Sequence, residues 1–389
     1  MTVLVGGLSS THDALLAAAL CGRGVEAAAL PVPDARALAT GQRLLARGHC
    51  NPTYYLSGAL VERALREPAE RRAALVHVSA GSCGPCRFAT YATEHRRALA
   101  QAGLPEVRVV VIDQSMPRPT APLAAAGVTV DARLLASLLR AVVAADVLLR
   151  AGAEHRVRAA DPAAVDAAID RTRTEVMAAL SARASVLPHL AALGATLSSL
   201  PSGLPRRRVR VRITGEIFAA TTDGHGGLQL LRWLEAHGAA VTVPAVSDWL
   251  IYLAWQARGR TPHARGAERA IHGLYRRYAA AAGVHAELGD ADALATLARP
   301  HYEPELRGGM GHLEVATFLD VERTGSHDVV VSVKPFGCIP SSALSDGVVP
   351  ALARRARTIF VALETTGEAE AQLESRLALA LDAARLRMS

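Results

Sequence analysis

The chain has 389 residues, half of them hydrophobic, with five cysteines, 43 Lys plus Arg and 36 Asp plus Glu, for a formal charge of +7. That length exceeds one ordinary hydrophobic core and matches two α/β domains of roughly 150–200 residues each. The cysteines are too few and too scattered for a secreted disulfide framework. The arginines are interleaved with acids and aromatics make up only 4% of the chain, which leaves little surface for nucleic acid.

The opening MTVLVGGLSS lacks the basic and long apolar regions of a signal peptide. No uncharged run reaches the roughly 18 residues of a membrane helix. The expectation is a cytoplasmic chain with neither membrane nor nucleic acid as a partner. TVLVGG reads as a strand, HDALLAAALCGRG as a helix closed by glycine, VEAAALP as a second strand, and Asp34 to Arg47 as a helix. ALVHVSA and VRVVVID follow as near-continuous apolar runs, the pattern of strands buried on both faces. Strand and helix taking turns predicts a parallel sheet covered by helices.

Between about 130 and 200 apolar residues recur at three and four, which predicts a helical insert. LSSLPSGLPRRR then carries Pro, Gly and Ser between periodic segments, so the boundary is placed there, with domains at 1–203 and 204–389. Beyond it VRVRIT, AVTVP, DVVVSV and RTIFVAL read as strands, with helices between them and a closing helix from about Ala369. The fold class is α/β: two lobes with parallel Rossmann-like or flavodoxin-like sheets plus a helical insert.

In such sheets chemistry collects at the carboxyl ends of the strands. Cys83 and Cys86, in SCGPCR, follow the strand ALVHVSA and open a helix from Arg87, where helix-start amides favour a thiolate. Cys338 follows DVVVSV in KPFGCIPSS, and Cys50 stands before NPTYYLSGAL. Four sulfurs meeting in one crevice would suit zinc or an iron–sulfur cluster, whereas a disulfide shuttle requires only Cys83 and Cys86. Spacing alone leaves these readings open. Cys21, among alanines and leucines, reads as a small core residue.

Six stretches resemble the 2-hydroxyacyl-CoA dehydratase superfamily, most closely the dehydratase-like C-terminal region of large acyl-CoA dehydratase activase proteins. They are CNPTYYLSGAL, AGSCGPCRFATY, GEIFAATTDGHGGLQLLRWLEAHGAAV, GGMGHLEVA, KPFGCIPSS and ETTGEAEAQLESR, in the family's order from about residue 46 to 380. The resemblance implies an iron–sulfur cluster, often [4Fe-4S] in this superfamily, held between the lobes by Cys50, Cys338 and at least one of Cys83 and Cys86, with all four cysteines as candidate ligands. It further implies a separate ATP-dependent activase as electron donor and a small-molecule substrate of the CoA-thioester class. The reaction would be that of a lyase: one electron enters the thioester as a ketyl radical and a hydroxyl departs. A homo- or heterodimer fits the same picture. The ATPase segment of the large activases has no counterpart in the first 50 residues, and Met310 stands where an acidic residue is expected.

The remaining candidates are Glu216, His312, Glu314 and Lys334 as catalytic groups, with Arg87 and Lys334 beside the cofactor. Lys334 is the only lysine in the chain; next to a cluster loop it would ease electron addition or meet a CoA phosphate, and on the surface it would do neither. Glu216 ends a strand, where a substrate-facing carboxylate and a helix start are equally natural. His312 and Glu314 enter a helix through a Gly-flanked turn, a setting that also suits capping or packing. Glu364, Thr365 and Thr366 are explained by a turn and an N-cap. Trp249 and Tyr252 read as core or interface aromatics.

Overall fold

A computed structural model describes residues 1–81, 86–113, 121–203, 207–259, 261–306, 309–365 and 370–388. Cys83, Thr366 and the residues 204–206 at the expected boundary lie outside them. The N-terminal half runs β1 (Thr2–Val5), α1 (Ser10–Cys21), β2 (Ala27–Ala29), α2 (Ala35–Leu44), α3 (Asn51–Leu65), α4 (Ala69–Arg72), β3 (Leu75–Gly81), α5 (Tyr91–Gln101) and β4 (Arg108–Asp113). Then come α6 (Ala121–Ala125), α7 (Ala132–Arg156), α8 (Pro162–Ser181) and α9 (Leu187–Ser199). The C-terminal half runs β5 (Val209–Gly215), α10 (Ile217–Thr221), α11 (Leu230–Ala236), β6 (Ala239–Thr242), α12 (Val246–Gln256), α13 (Ala264–Ala282) and α14 (Ala291–Ala298). It ends with α15 (Gly311–Thr324), β7 (Val329–Pro335), α16 (Asp346–Ala353), β8 (Ile359–Thr365) and α17 (Glu370–Met388).

Two four-stranded sheets result, β2-β1-β3-β4 and β6-β5-β7-β8, with every ladder parallel. The α/β class and both parallel sheets are therefore as the alternating pattern predicts, and the two halves share one strand order. Each sheet is covered on both faces. Leu4, Leu75 and Val109 pack against α2, α3 and α5, while Val3 packs against Leu123, Val128 and Leu134 on the other side. In the second sheet Val211, Ile213, Val331 and Leu363 face α11 and α17, and Val330 faces Val315 and Phe318 of α15. Burial on both faces is what removes the polar alternation from these strands.

Helices α7, α8 and α9 occupy the predicted helical stretch and share a core with α1 and α13. Aspartates 131 and 161 cap α7 and α8, accepting from Leu134 N and Ala163 N. Where α3 crosses α2, a Cβ on Gly58 would stand 1.8 Å from Ala37 O, so glycine is required for this close approach.

One expectation is corrected. Cys21 is not a core residue: it is the last residue of α1 and is exposed, its thiol pointing to Ala27 O at 3.5 Å. The helix stops there because Gly22 and Gly24 follow, Gly24 with φ +78°, and the apolar stripe ends with it. Among the described residues no helix is long and apolar enough to cross a membrane.

Candidate functional site

In a sheet of order 2-1-3-4 the chain leaves the first strand towards one edge and later crosses to the other. A crevice therefore opens at the carboxyl ends of the first and third strands. Both sheets obey this rule, and both crevices open on one cavity of about 330 Å³. Its lining includes Gly6 and Gly7 after β1, His77 to Gly81 of β3, Gly215 and Glu216 at the end of β5, and Pro335 and Cys338 at the end of β7. Leu16, Leu56, Phe88, Phe218, Trp249 and Tyr252 make most of the remaining wall apolar.

Cys50, Cys86 and Cys338 all line this cavity. Cys86 follows the third strand of its half and Cys338 the third strand of the other, so related connections deliver them; Cys50 caps α3. Four contacts knit their loops together. The Arg87 guanidinium donates to Gly48 O at 2.7 Å and lies against Gly337, whose φ is +70°. Thr365 O, at the end of β8, accepts both Asn51 Nδ2 at 2.6 Å and Phe336 N at 3.2 Å.

Each of these three described sulfurs has hydrogen-bonding groups close by. The Tyr91 hydroxyl stands 3.1 Å and the Thr53 hydroxyl 3.6 Å from Cys50 Sγ. The Phe88 amide serves Cys86 and the Ser341 amide serves Cys338. Burial nevertheless dominates. It pushes Cys86 up to about 11, helped by the Glu216 carboxylate and by Cys50. It drives Cys338 well above the ordinary thiol range, with Glu216, Glu314 and Cys86 adding to it, and raises Cys50 as well. These are soft donors in a largely apolar cavity, and a cationic group among them is what would convert them to thiolates. Among the described residues no group of three or more His, Cys, Asp or Glu side chains is drawn together as a single-ion site.

No family model matches the chain. No curated protein matches it either. The chemistry has to be read from the residues.

Glu216 caps α10, accepting Phe218 N at 3.1 Å and Ala219 N at 2.9 Å. Gly215 places it there: with φ +123° and Val333 O at 2.0 Å from where a Cβ would be, only glycine lets β5 end so close to β7. Burial raises the Glu216 carboxyl and the charge of Glu314 adds to it, against the pull of the two amides. Glu314, on the first turn of α15, also reaches the cavity, and accepts Ser332 Oγ at 2.8 Å, Ser345 Oγ at 3.0 Å and the Ser341 hydroxyl. Arg87 lines the cavity as well.

Lys334 and His312 are not among the lining residues. Lys334 is 0% exposed, which removes it from the surface; it pairs with Asp346 and stands 3.7 Å from Glu314. His312 is buried among Tyr252, Trp255 and Tyr302, its Nδ1 without a hydrogen-bond partner among the described residues, and burial lowers it to about 4. Arg87 opens a short 3-10 turn, Arg87–Thr90, before α5 begins, rather than a continuous α-helix.

Sequence reasoning missed four lining residues: Asp13, His77, Tyr91 and His95. His77 and His95 form an edge-to-face pair, His77 bonded to Leu4 O at 3.2 Å and His95 to Ser57 Oγ at 2.8 Å. Burial holds His77 at about 4 and His95 well below its usual range. Asp13 is lifted by burial to about 7. Its sign is therefore opposite to that of a salt-bridged acid. In acid the carboxyl is neutral whether folded or unfolded; as pH rises the unfolded chain loses the proton first, and the fold loses stability up to about pH 7. Asp13→Asn is expected to melt with wild type near pH 4 and several degrees higher at pH 8, read by calorimetry.

Proposed function

We propose that this chain is an iron–sulfur component of the 2-hydroxyacyl-CoA dehydratase and activase-related type. In this reading it accepts low-potential electrons from a separate ATP-dependent activase and passes them to a small substrate. Cys50, Cys86 and Cys338, together with Cys83, hold the cluster between two α/β lobes, 1–203 and 204–389. The observation that carries this is the arrival of three cysteines from distant parts of the chain at one cavity, each with hydrogen-bonding groups beside its sulfur. The six family-like stretches support it independently.

When bound, a [4Fe-4S]-type group supplies one electron to an acyl-CoA thioester beside it, so that an otherwise poorly activated hydroxyl can leave. The protein's own residues do the rest. Hydroxyl and amide donors stabilise the thiolates, a role that outer-shell hydrogen bonds play at metal sites generally. Arg87 adds positive charge and ties the Cys86 turn to the Cys50 loop through Gly48. Lys334 acts from behind the wall, holding Glu314, instead of meeting a substrate phosphate. The apolar walls exclude water from the reacting centre, which strengthens every charge interaction inside.

The test is a cysteine series in protein purified without oxygen, followed by visible charge-transfer absorbance. Cys50→Ser, Cys86→Ser and Cys338→Ser are each expected to lose most of the absorbance, and Cys21→Ser to keep it. Equal absorbance in Cys338→Ser and wild type would contradict a group shared by both halves.

A further inference from the structure

The cavity has little positive charge to offer a ligand. Among its described lining residues the acids are Asp13, Glu216 and Glu314, and Arg87 is the one cation. Arg87 belongs to the cysteine turns: it donates to Gly48 O at 2.7 Å, lies against Gly337, and its charge acts on Cys50. Lys334 is behind the wall, paired with Asp346 and 3.7 Å from Glu314. His77 and His95 are kept neutral by burial. Whatever the protonation of the three acids, none of them is a counter-ion for a second carboxylate carried in by a ligand.

Helix α12 supplies the opposite kind of surface. Trp249, Tyr252 and Leu253 stand at i, i+3 and i+4, so they share one helical face, and all three line the cavity. Gln256 closes that face, its amide donating to the Tyr252 hydroxyl at 2.5 Å. Two contacts fix the face beside the Cys338 turn. The Tyr252 hydroxyl donates to Gly309 O at 2.7 Å. Gly309, with φ +135°, lies so close to that turn that a Cβ on it would stand 2.2 Å from Pro340 Cγ. An apolar face and a cysteine loop therefore meet within one cavity.

We propose that the acyl group taken by this site is uncharged and apolar, that it lies along the Trp249, Tyr252 and Leu253 face of α12, and that acyl groups ending in a second carboxylate are refused. The inference rests on the acyl-thioester reading above and adds to it which thioesters the cavity accepts. A methyl-ended chain laid against an indole, a phenol ring and a leucine loses apolar surface to water and gains contact. A carboxylate end in the same place loses its hydration and finds no cation, and Glu216 and Glu314 repel it when ionised. Selection of this kind works through the charge left unpaired in the wrong ligand more than through extra contacts to the right one.

The test is equilibrium binding by titration calorimetry, near neutral pH, on the full chain purified without oxygen. Hexanoyl-CoA and adipoyl-CoA are the probes: they match in chain length, one ends in a methyl and the other in a carboxylate, and neither has a hydroxyl to lose. Hexanoyl-CoA is expected to bind at least about tenfold more tightly than adipoyl-CoA. Leu253→Arg, which puts a guanidinium on the α12 face, is expected to narrow or reverse that preference, and Trp249→Ala to weaken hexanoyl-CoA alone. The wild-type comparison decides without any variant. Equal affinity, or tighter binding of adipoyl-CoA, overturns this inference and leaves the electron-accepting reading standing; so does an unchanged preference in a folded Leu253→Arg. Failure of both thioesters to bind overturns the acyl-thioester reading and this inference with it.

Discussion

Asp146→Ala is expected to cost the fold about 3–5 kcal/mol, because it strands several buried donors at once. The carboxylate accepts His12 Nε2 at 3.0 Å, Val246 N at 2.8 Å, Ser247 N at 2.9 Å and Ser247 Oγ at 2.6 Å. His12 and Asp146 are each 1% exposed at the side chain, so water does not replace what is lost. Behind His12 stands Ser9, whose hydroxyl meets the ring at 2.7 Å and caps α1 by accepting His12 N at 3.2 Å. The serine, histidine and aspartate thus lie in a hydrogen-bonded row, but all three are buried away from the cavity lining. Their work is to join α1 and α7 to the start of α12, the helix that carries Trp249 and Tyr252 into the cavity wall. Denaturant unfolding measures the effect; a loss below about 1 kcal/mol would show that the row contributes no more than a surface pair.

Lys334→Met is expected to be nearly as damaging, about 3–5 kcal/mol near neutral pH, since a buried pair broken on one side leaves uncompensated charge. Here two carboxylates are left. Burial already raises both Glu314 and Asp346, and Lys334 is what pulls each of them back. In the variant their folded values climb further above their unfolded ones. The loss therefore vanishes in acid, where both groups are protonated in either state, and grows as pH rises through the carboxylate range. Unfolding at pH 4 and pH 7 separates this from a packing defect, which would cost the same at both. The Cys338 connection depends on this network through Ser341 and Ser345, so thiol placement should suffer with stability.

The strands were legible because sheets covered on both faces leave near-continuous apolar runs, as at Val109 to Ile112 and Val329 to Val333. The cysteine loops were legible because each cysteine follows a strand or opens a helix, a local arrangement. Asp13 was not: it looks like an ordinary acid on a first helical turn, and only the fold brings it to the cavity wall. His77 and His95 were hidden for a similar reason, one inside a strand and one on a helix, with no local sign that their rings meet. Lys334 precedes a proline, which reads as a chain surface, yet β7 lies between β5 and β8 and buries it completely. Cys21 misled in the other direction, since glycine punctuation ended its helix before the apolar stripe could bury it.

The most direct measurement is iron, zinc and acid-labile sulfide per chain in wild-type protein purified without oxygen. The account predicts about four irons and about four sulfides per chain, with no stoichiometric zinc. One zinc without sulfide, or no metal at all, would contradict it and return Cys50, Cys86 and Cys338 to structural or thiol chemistry.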